Sequence, residues 1–166
     1  MHAKPTAPRV FEGPPAEALR LANAERAPVF MPISVFADDR GWSMMNQLQG
    51  VMNPEGQVNY SVQYPGVIKA WHRHAHQTDF WICLSGMLKA AAWDQDNQRL
   101  WTCVLGEKRP GALVIPPPLW HGAATVGPTP AGLLYYVTKA YDPKAPDEER
   151  AAWDAFAGFT WAVEHR

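Results

Sequence analysis

Four histidines and one aspartate, with side chains suited to metal binding or proton transfer, lie in two short apolar segments. They are His72, His74, His76, Asp79 and His121. The first segment, residues 66–86, begins and ends with glycine, and its three histidines alternate with other residues. Successive side chains of an extended strand point to opposite faces, so the alternation predicts three imidazoles on one face. A fold that packs the second segment, residues 114–122, against the first gathers all five groups.

Two chemistries fit these residues. In the first, a divalent cation is bound, because mixed imidazole and carboxylate sets suit zinc, iron, nickel or manganese. The candidate ligands are His72, His74, Asp79 and His121. In the second, one histidine is a general base that removes a proton from carbon next to a carbonyl, since imidazole titrates near neutrality. A single buried histidine is more often a hydrogen-bonded core residue, but several buried polar groups are costly without a function. His76, nearest the end of the strand, is expected at the rim.

The composition sets limits on the class of protein. Of the 166 residues, 47% are apolar and 19% are charged, which is typical of one globular domain with its own core. The formal charge of −1 and the lack of a basic stripe argue against binding to nucleic acid or to a membrane surface. No stretch has the ~18–20 apolar residues of a membrane-spanning helix. Cys83 and Cys103 lie in apolar runs, so we expect buried free thiols and a cytoplasmic location.

The elements that must position the histidines are mostly short strands. Sixteen prolines and twelve glycines separate apolar runs of strand length, a pattern typical of an antiparallel sandwich or barrel. Residues 1–13 are expected to form a flexible arm and residues 14–26 a helix that begins at proline. Helix-like spacing of apolar residues in 143–158 predicts a terminal helix across the barrel. We therefore expect an arm and helix in residues 1–29 and a barrel with a helical tail in residues 30–166.

Two motifs resemble those of the cupin superfamily. The first has the superfamily's spacing, with aspartate where glutamate is usual, and its fixed positions are Gly66, His72, His74, Asp79 and Gly86. Residues 116–121, Pro-Pro-Pro-Leu-Trp-His, resemble the second motif, with proline in place of a usual glycine. The resemblance implies an all-β fold, a single cupin barrel (double-stranded β-helix or jelly roll), whose interior is lined by the motif side chains.

A narrower resemblance covers about residues 30–161. Over that range the sequence is similar to the dTDP-4-dehydrorhamnose 3,5-epimerase family. The matching stretches are FADDRGW (36–42), QVNYS (57–61), GVIKAWH (66–72), VIPPPLWHG (114–122) and LLYYVTKAYDPKAPDEERAAWD (133–154). The resemblance implies a nucleotide-sugar substrate, a dTDP-4-keto-6-deoxyhexose, from which a proton is removed next to the ketone. It also implies that no cofactor is required and that the protein is a homodimer.

The same resemblance assigns roles to individual residues. His72 matches the base that removes protons at C3 and C5, and Tyr135 matches the acid on the opposite face of the sugar ring. Lys69 and His121 match residues that line the site, and Arg40 matches an arginine that holds the nucleotide phosphates. The other candidates for substrate contact are Gln57, Asn59, Trp71, Trp120 and Tyr141.

Departures from the family pattern leave alternatives open. In the family an aspartate near the C-terminus, beyond the last strand, orients the base, and no aspartate of this sequence matches it. A lysine of the family falls at Asp79, and His74 adds an imidazole, as in the similar sugar 3,4-ketoisomerases. The alternatives are a metal-dependent cupin enzyme, an oxygenase or lyase acting on a small molecule, and a sugar-binding cupin without catalysis.

Overall fold

The computed structural model describes residues 4–163. Within them it contains one helix and thirteen strands. The helix, α1, is Pro15–Glu25. The strands are β1 Arg9–Val10, β2 Val29–Pro32, β3 Phe36–Asp38, β4 Gly41–Ser43, β5 Gln57–Gln63, β6 Ile68–Arg73, β7 Asp79–Ser85, β8 Met87–Asp94, β9 Arg99–Gly106, β10 Gly111–Ile115, β11 Trp120–Val126, β12 Ala131–Val137 and β13 Glu149–Arg150.

Two sheets form a jelly-roll barrel. The larger has the strand order β1-β2-β10-β7-β12-β5, the smaller has the order β13-β6-β11-β8-β9, and β3 and β4 form a separate hairpin. One buried cluster takes side chains from both sheets, including Leu113 and Leu133 of the larger sheet and Leu88 and Leu105 of the smaller. The inner faces of the two sheets therefore share one core, and the predicted all-β barrel is confirmed.

Helix α1 covers the outer face of the larger sheet. It starts directly after Pro14, and its buried residues Ala18 and Ala22 belong to the same cluster as Phe80 and Ile82 of β7. The intervening β7 residues belong to the core between the sheets, as the two-residue period of a strand requires. The helix predicted for residues 14–26 is therefore present.

The segment before the helix is held against the barrel. Strand β1 pairs in parallel with β2, and the Thr6 N–H donates to the Leu100 carbonyl at 2.9 Å. The prediction of a flexible arm is therefore wrong for residues 4–13, and residues 1–3 lie outside the described range. The partners of this segment are distant in sequence, so no local pattern indicates the pairing.

The tail, residues 138–163, contains no helix, so the predicted helix over 143–158 is wrong. Strand β13 pairs with β6, and the backbone N–H and carbonyl of Ala151 both bond to Trp71, at 2.9 and 3.0 Å. Three tail aromatic residues, Phe156, Phe159 and Trp161, pack on the Trp71 ring. Burial of these rings and pairing with a strand edge outweigh the weak local preference for a helix.

Two further sequence predictions concern the cysteines and the membrane. Cys83 and Cys103 are buried free thiols, as predicted. Burial raises the pKa of Cys83 to about 11 and that of Cys103 to about 12, so both thiols stay protonated at neutral pH. No helix among residues 4–163 is long and apolar enough to cross a membrane.

Candidate active site

A cavity of about 860 Å³ opens between strands of both sheets and the tail. Its walls come from β5, β6, β7 and β12, and the tail contributes Tyr141, Glu148 and Arg150. The cavity contains histidine, carboxylate, amide, phenol and ammonium groups, so polar chemistry is concentrated at this end of the barrel.

Strand β5 forms a polar wall of the cavity. Its alternate residues Gln57, Asn59, Ser61 and Gln63 line the cavity. Opposite Asn59 in the ladder is Tyr135 of β12, which also lines the cavity. Burial, together with the charges of Asp79 and Glu148, raises the pKa of Tyr135, so its phenol keeps its proton at neutral pH. The neighbouring Tyr136 packs on the other face of the sheet, so of these two adjacent phenols Tyr135 is the one that faces the cavity.

Three imidazoles and a carboxylate form a compact cluster at the inner end of the cavity. His72 of β6 and His121 of β11 are paired across the ladder, with ring centroids 4.2 Å apart. His74 follows β6 directly, and its ring centroid lies 5.7 Å from that of His72. One potential ligand atom from each of these histidines and from Asp79 lies within 4.8 Å of the others.

His72 lines the cavity and is the imidazole predicted to act as the base. Burial lowers its pKa well below the usual value, and the nearby His121 and His74 rings lower it further, against an opposing effect of Asp79. The ring is therefore neutral at neutral pH, as a general base must be. Among residues 4–163, no side chain or carbonyl hydrogen-bonds to its ring.

Asp79 is a buried carboxylate held in place by two donors. Gln77 Nε2 donates to it at 2.6 Å and the Trp81 indole N–H at 3.1 Å. Burial favours the protonated acid, but the neighbouring His121 and His74 imidazoles and the Gln77 bond outweigh it, and the pKa of Asp79 is about 2. A fixed negative charge therefore lies beside the imidazole cluster at neutral pH.

His121 presents an unpartnered nitrogen to that charge. Its Nδ1 lies 2.8 Å from the Leu119 carbonyl, which only accepts, so Nδ1 carries the hydrogen. Its buried Nε2 has no hydrogen-bond partner among the described residues and lies 3.5 Å from Asp79 Oδ2. Two sets of lone pairs facing each other are unfavourable, so either a proton on Nε2, the state in which His121 lowers the pKa of Asp79, or a cation lies between the two groups. The donor set of three imidazoles and one carboxylate thus fits a divalent metal ion.

His74 is anchored by the tail. Its Nδ1 hydrogen-bonds to the backbone carbonyl of Asp147. The Asp147 carboxylate accepts the backbone N–H groups of Ala75 and His76 at 2.8 and 3.0 Å. Burial opposes ionisation of this carboxyl, but the two N–H bonds outweigh burial and lower its pKa. The tail therefore contributes to the shape of the site as well as to its lining.

Comparison with known proteins gives the family. The chain is 35% identical over 138 residues to the spore coat polysaccharide biosynthesis protein SpsL of Bacillus subtilis. The aligned region covers 78% of this chain and 91% of SpsL. The chain belongs to the dTDP-sugar epimerase and isomerase family of cupins. It is also 39% identical over 101 residues to a probable low-salt glycan biosynthesis epimerase, Agl13, of Haloferax volcanii, covering 57% of this chain and 65% of Agl13.

A solved structure shows the same fold. The dTDP sugar isomerase from Desulfovibrio desulfuricans superposes with a TM-score of 0.73 at 24% identity, covering 83% of this chain and 92% of that one. No protein-family model matches the sequence. The predicted family is confirmed, and with it the prediction of an isomerase-class enzyme of sugar biosynthesis.

Most of the candidate residues of this family member meet at the cavity. Those that line it are Gln57, Asn59, Lys69, His72, His74, Asp79, Tyr135 and Tyr141. His121 is not on the cavity wall but is buried against the His72 ring, 4.2 Å away. His76 is exposed, as expected for a residue at the rim.

Three predicted substrate contacts are not available to a ligand in this cavity. Trp71 borders it, but the indole is 1% exposed, packs on the tail aromatic residues and donates to the Trp153 carbonyl. Trp120 is buried in the same cluster and donates to Gln95. Arg40 lies on the exposed β3–β4 hairpin, where it pairs with Asp38. Trp71 and Trp120 are adjacent to His72 and His121, and neighbouring residues of a strand face opposite ways.

Several polar or aromatic lining residues were not predicted. They are Ser61, Gln63, Gln77, Trp81, Glu148 and Arg150. The strand period carries a signal for Ser61 and Gln63, which continue the alternation of Gln57 and Asn59. Trp81 likewise lies two residues after Asp79 on β7. Glu148 and Arg150 carry no such signal, because they belong to the segment for which a helix was predicted.

Proposed function

We propose that this chain is an epimerase or isomerase of a dTDP-4-keto-6-deoxyhexose that moves protons at the carbon next to the ketone. The observation that carries the proposal is that a neutral imidazole, His72, and a protonated phenol, Tyr135, line one cavity. An acceptor and a donor in one cavity are what inversion at a carbon acid needs. Similarity to a protein named dTDP sugar isomerase supports the choice of substrate class.

The proton transfers follow from these two groups. His72 takes the proton from the carbon next to the ketone, the C–H bond electrons form an enolate, and Tyr135 returns a proton to the opposite face. Lys69 lines the cavity and its ammonium stabilises the negative oxygen of the enolate. His121 is buried and its ring packs against the His72 ring, so its role is to hold His72 and not to contact the substrate. The polar wall of β5, which includes Gln57 and Asn59, and Tyr141 of the tail bind the substrate.

Solvent exchange in variants tests this assignment. In D₂O with a dTDP-4-keto-6-deoxyhexose, deuterium enters at C3 or C5, and His72→Asn reduces its rate by at least about a hundredfold, in line with general-base catalysis. Tyr135→Phe retains exchange at the face served by His72 but forms little inverted product. His76→Asn, at the exposed rim, is the matched control and exchanges like the wild type. Exchange that survives His72→Asn at the wild-type rate refutes the assignment.

A second candidate function is favoured by the unpartnered Nε2 of His121 facing Asp79. In that function a divalent cation is held by His72, His74, Asp79 and His121. Such an ion supplies Lewis-acid chemistry to a bound oxygen. Elemental analysis of protein purified without chelator decides between the two, because four preformed ligands retain zinc. Less than about 0.1 metal per chain removes this candidate, and near-stoichiometric metal supports it.

We also propose that the protein is a cytoplasmic homodimer that associates through the outer face of β5. The outward residues Val58, Tyr60 and Val62 are 44, 57 and 46% exposed, so the strand is polar toward the cavity and apolar toward solvent. A row of exposed apolar side chains marks an association site, and the family resemblance favours a second copy. Sedimentation is expected to give twice the chain mass of 18.5 kDa. The double variant Val58→Asp/Val62→Asp is expected to sediment as a monomer, and a wild-type monomer contradicts the proposal.

A further inference from the structure

One residue of the tail, Asp147, holds the turn that follows β6. Three consecutive residues bond to it: the His74 ring through Nδ1, and Ala75 and His76 through their backbone N–H groups. The two N–H bonds reach separate carboxylate oxygens, at 2.8 and 3.0 Å. Hydrogen bonds to an ionised carboxylate are stronger than those between neutral groups. Asp147 therefore fixes the turn at three points, two through its carboxylate and one through its backbone carbonyl.

The bond to the carbonyl also sets the tautomer of His74. A carbonyl oxygen only accepts, so His74 Nδ1 carries the hydrogen, and the lone pair of the neutral ring is on Nε2. His74 is buried, lines the cavity and lies beside the rings of His72 and His121. Nε2 is then the nitrogen available to the imidazole cluster or to a bound molecule.

Asp147 does not belong to the ladder that attaches the tail to β6. That ladder is made by Glu149, Arg150 and Ala151, which pair with Arg73, His72 and Trp71. Glu149 adds an exposed ion pair with Arg73 at 2.8 Å. The ladder can therefore stay intact when the Asp147 side chain is altered, which separates the shape of the site from attachment of the tail.

We propose that Asp147 is a positioning residue of the active site. It holds His74 in the Nδ1–H tautomer and keeps the turn of residues 74–76 in place beside His72. Its effect on catalysis rests on the proposed proton transfer by His72, whereas its effect on His74 does not. Its carboxylate acts on the imidazole cluster through the backbone of Ala75 and His76, and its backbone carbonyl acts through the His74 ring.

Two substitutions of Asp147 test the proposal against a matched control. Asp147→Ala removes both carboxylate bonds, and Asp147→Asn keeps one acceptor oxygen. Glu149→Gln, two residues along the same segment, weakens only the exposed pair with Arg73. We expect solvent exchange into the sugar to fall about tenfold or more in the alanine variant, with kcat affected more than KM, as for other residues that orient reacting groups. The asparagine variant is expected to be intermediate and Glu149→Gln to equal the wild type.

The readout that is independent of activity is ¹⁵N NMR of the histidine rings. In the wild type, His74 is expected as the Nδ1–H tautomer. Asp147→Ala keeps the backbone carbonyl but loses the two carboxylate bonds that hold it beside the ring, so the His74 ring signals are expected to move toward a mixture of tautomers. An Nε2–H tautomer in the wild type overturns the proposal. So does an Asp147→Ala variant with unchanged His74 signals. If neither the wild type nor any variant catalyses solvent exchange into a sugar nucleotide, the proposed function fails. The His74 tautomer then decides by itself for or against the role of Asp147.

Discussion

Asp79 is expected to make the stability of the fold depend on pH, and Asp79→Asn should remove that dependence. The carboxylate is 3% exposed and lies beside the imidazole cluster, with Gln77 and Trp81 as donors. Asparagine has the same shape and keeps one acceptor oxygen, so one of the two donors, Gln77 or Trp81, loses its acceptor. That cost does not change with pH, so the pH-dependent difference between the variant and the wild type comes from the lost charge.

The size of the effect follows from the pKa of Asp79, which is lowered from 3.8 to about 2 in the folded protein. A lowered pKa means that the unfolded chain binds the proton more readily, so the stabilisation is present above pH 4 and is lost as pH falls. The full loss is about 2 kcal/mol, of which about 1 kcal/mol is lost by pH 3. Other acids contribute to the pH dependence in both proteins and cancel in the difference between them.

The measurement is urea unfolding followed by tryptophan fluorescence at pH 7, 5, 4 and 3. The difference in unfolding free energy, wild type minus Asp79→Asn, is expected to decrease by about 1 kcal/mol between pH 7 and pH 3. A difference that stays constant over this range, or that grows as pH falls, refutes the reasoning. Either result would mean that the Asp79 carboxylate gains nothing from its neighbours in the folded state.

Two other predictions concern the base and the tail. Because burial and the neighbouring imidazoles lower the pKa of His72, the acid limb of kcat/KM for solvent exchange should lie below pH 6.5, and a limb above that value is evidence against His72 as the base. Trp71→Ala should reduce the unfolding free energy by about 3–5 kcal/mol, because the indole is 1% exposed and carries three tail aromatic residues. Urea unfolding measures this loss, and a change under about 1 kcal/mol shows that the tail is not held by this ring.

The barrel and the centre of the site were predictable because their patterns are local. Strand-length apolar runs between prolines and glycines indicate the sheet architecture. The spacing of His72 and His74 places them two positions apart at the end of β6, before the turn that leads to β7 in the other sheet. Alternation in β5 places Gln57 and Asn59 on the same face. In each case a two-residue period in one segment carries the information.

Other features depend on contacts between distant parts of the chain. The tail has helix-like spacing, but its aromatic residues are buried on Trp71 and its backbone completes the edge of β6. Glu148 and Arg150 reach the cavity only because of that pairing. Trp71 and Trp120 were expected at the site from their closeness in sequence to His72 and His121. Adjacent residues of a strand point to opposite faces, so a residue next to a site histidine is expected to face away from the site.

The central claim is that His72 moves a proton at the carbon next to the ketone of a sugar nucleotide. The most direct test is ¹H NMR of a dTDP-4-keto-6-deoxyhexose incubated in D₂O with the wild type and with His72→Asn, both in the presence of EDTA. The account predicts loss of the C3 or C5 proton signal with the wild type, no loss at C2, and almost none at any carbon with His72→Asn. Retention of both signals with the wild type, or equal loss with the two proteins, contradicts it.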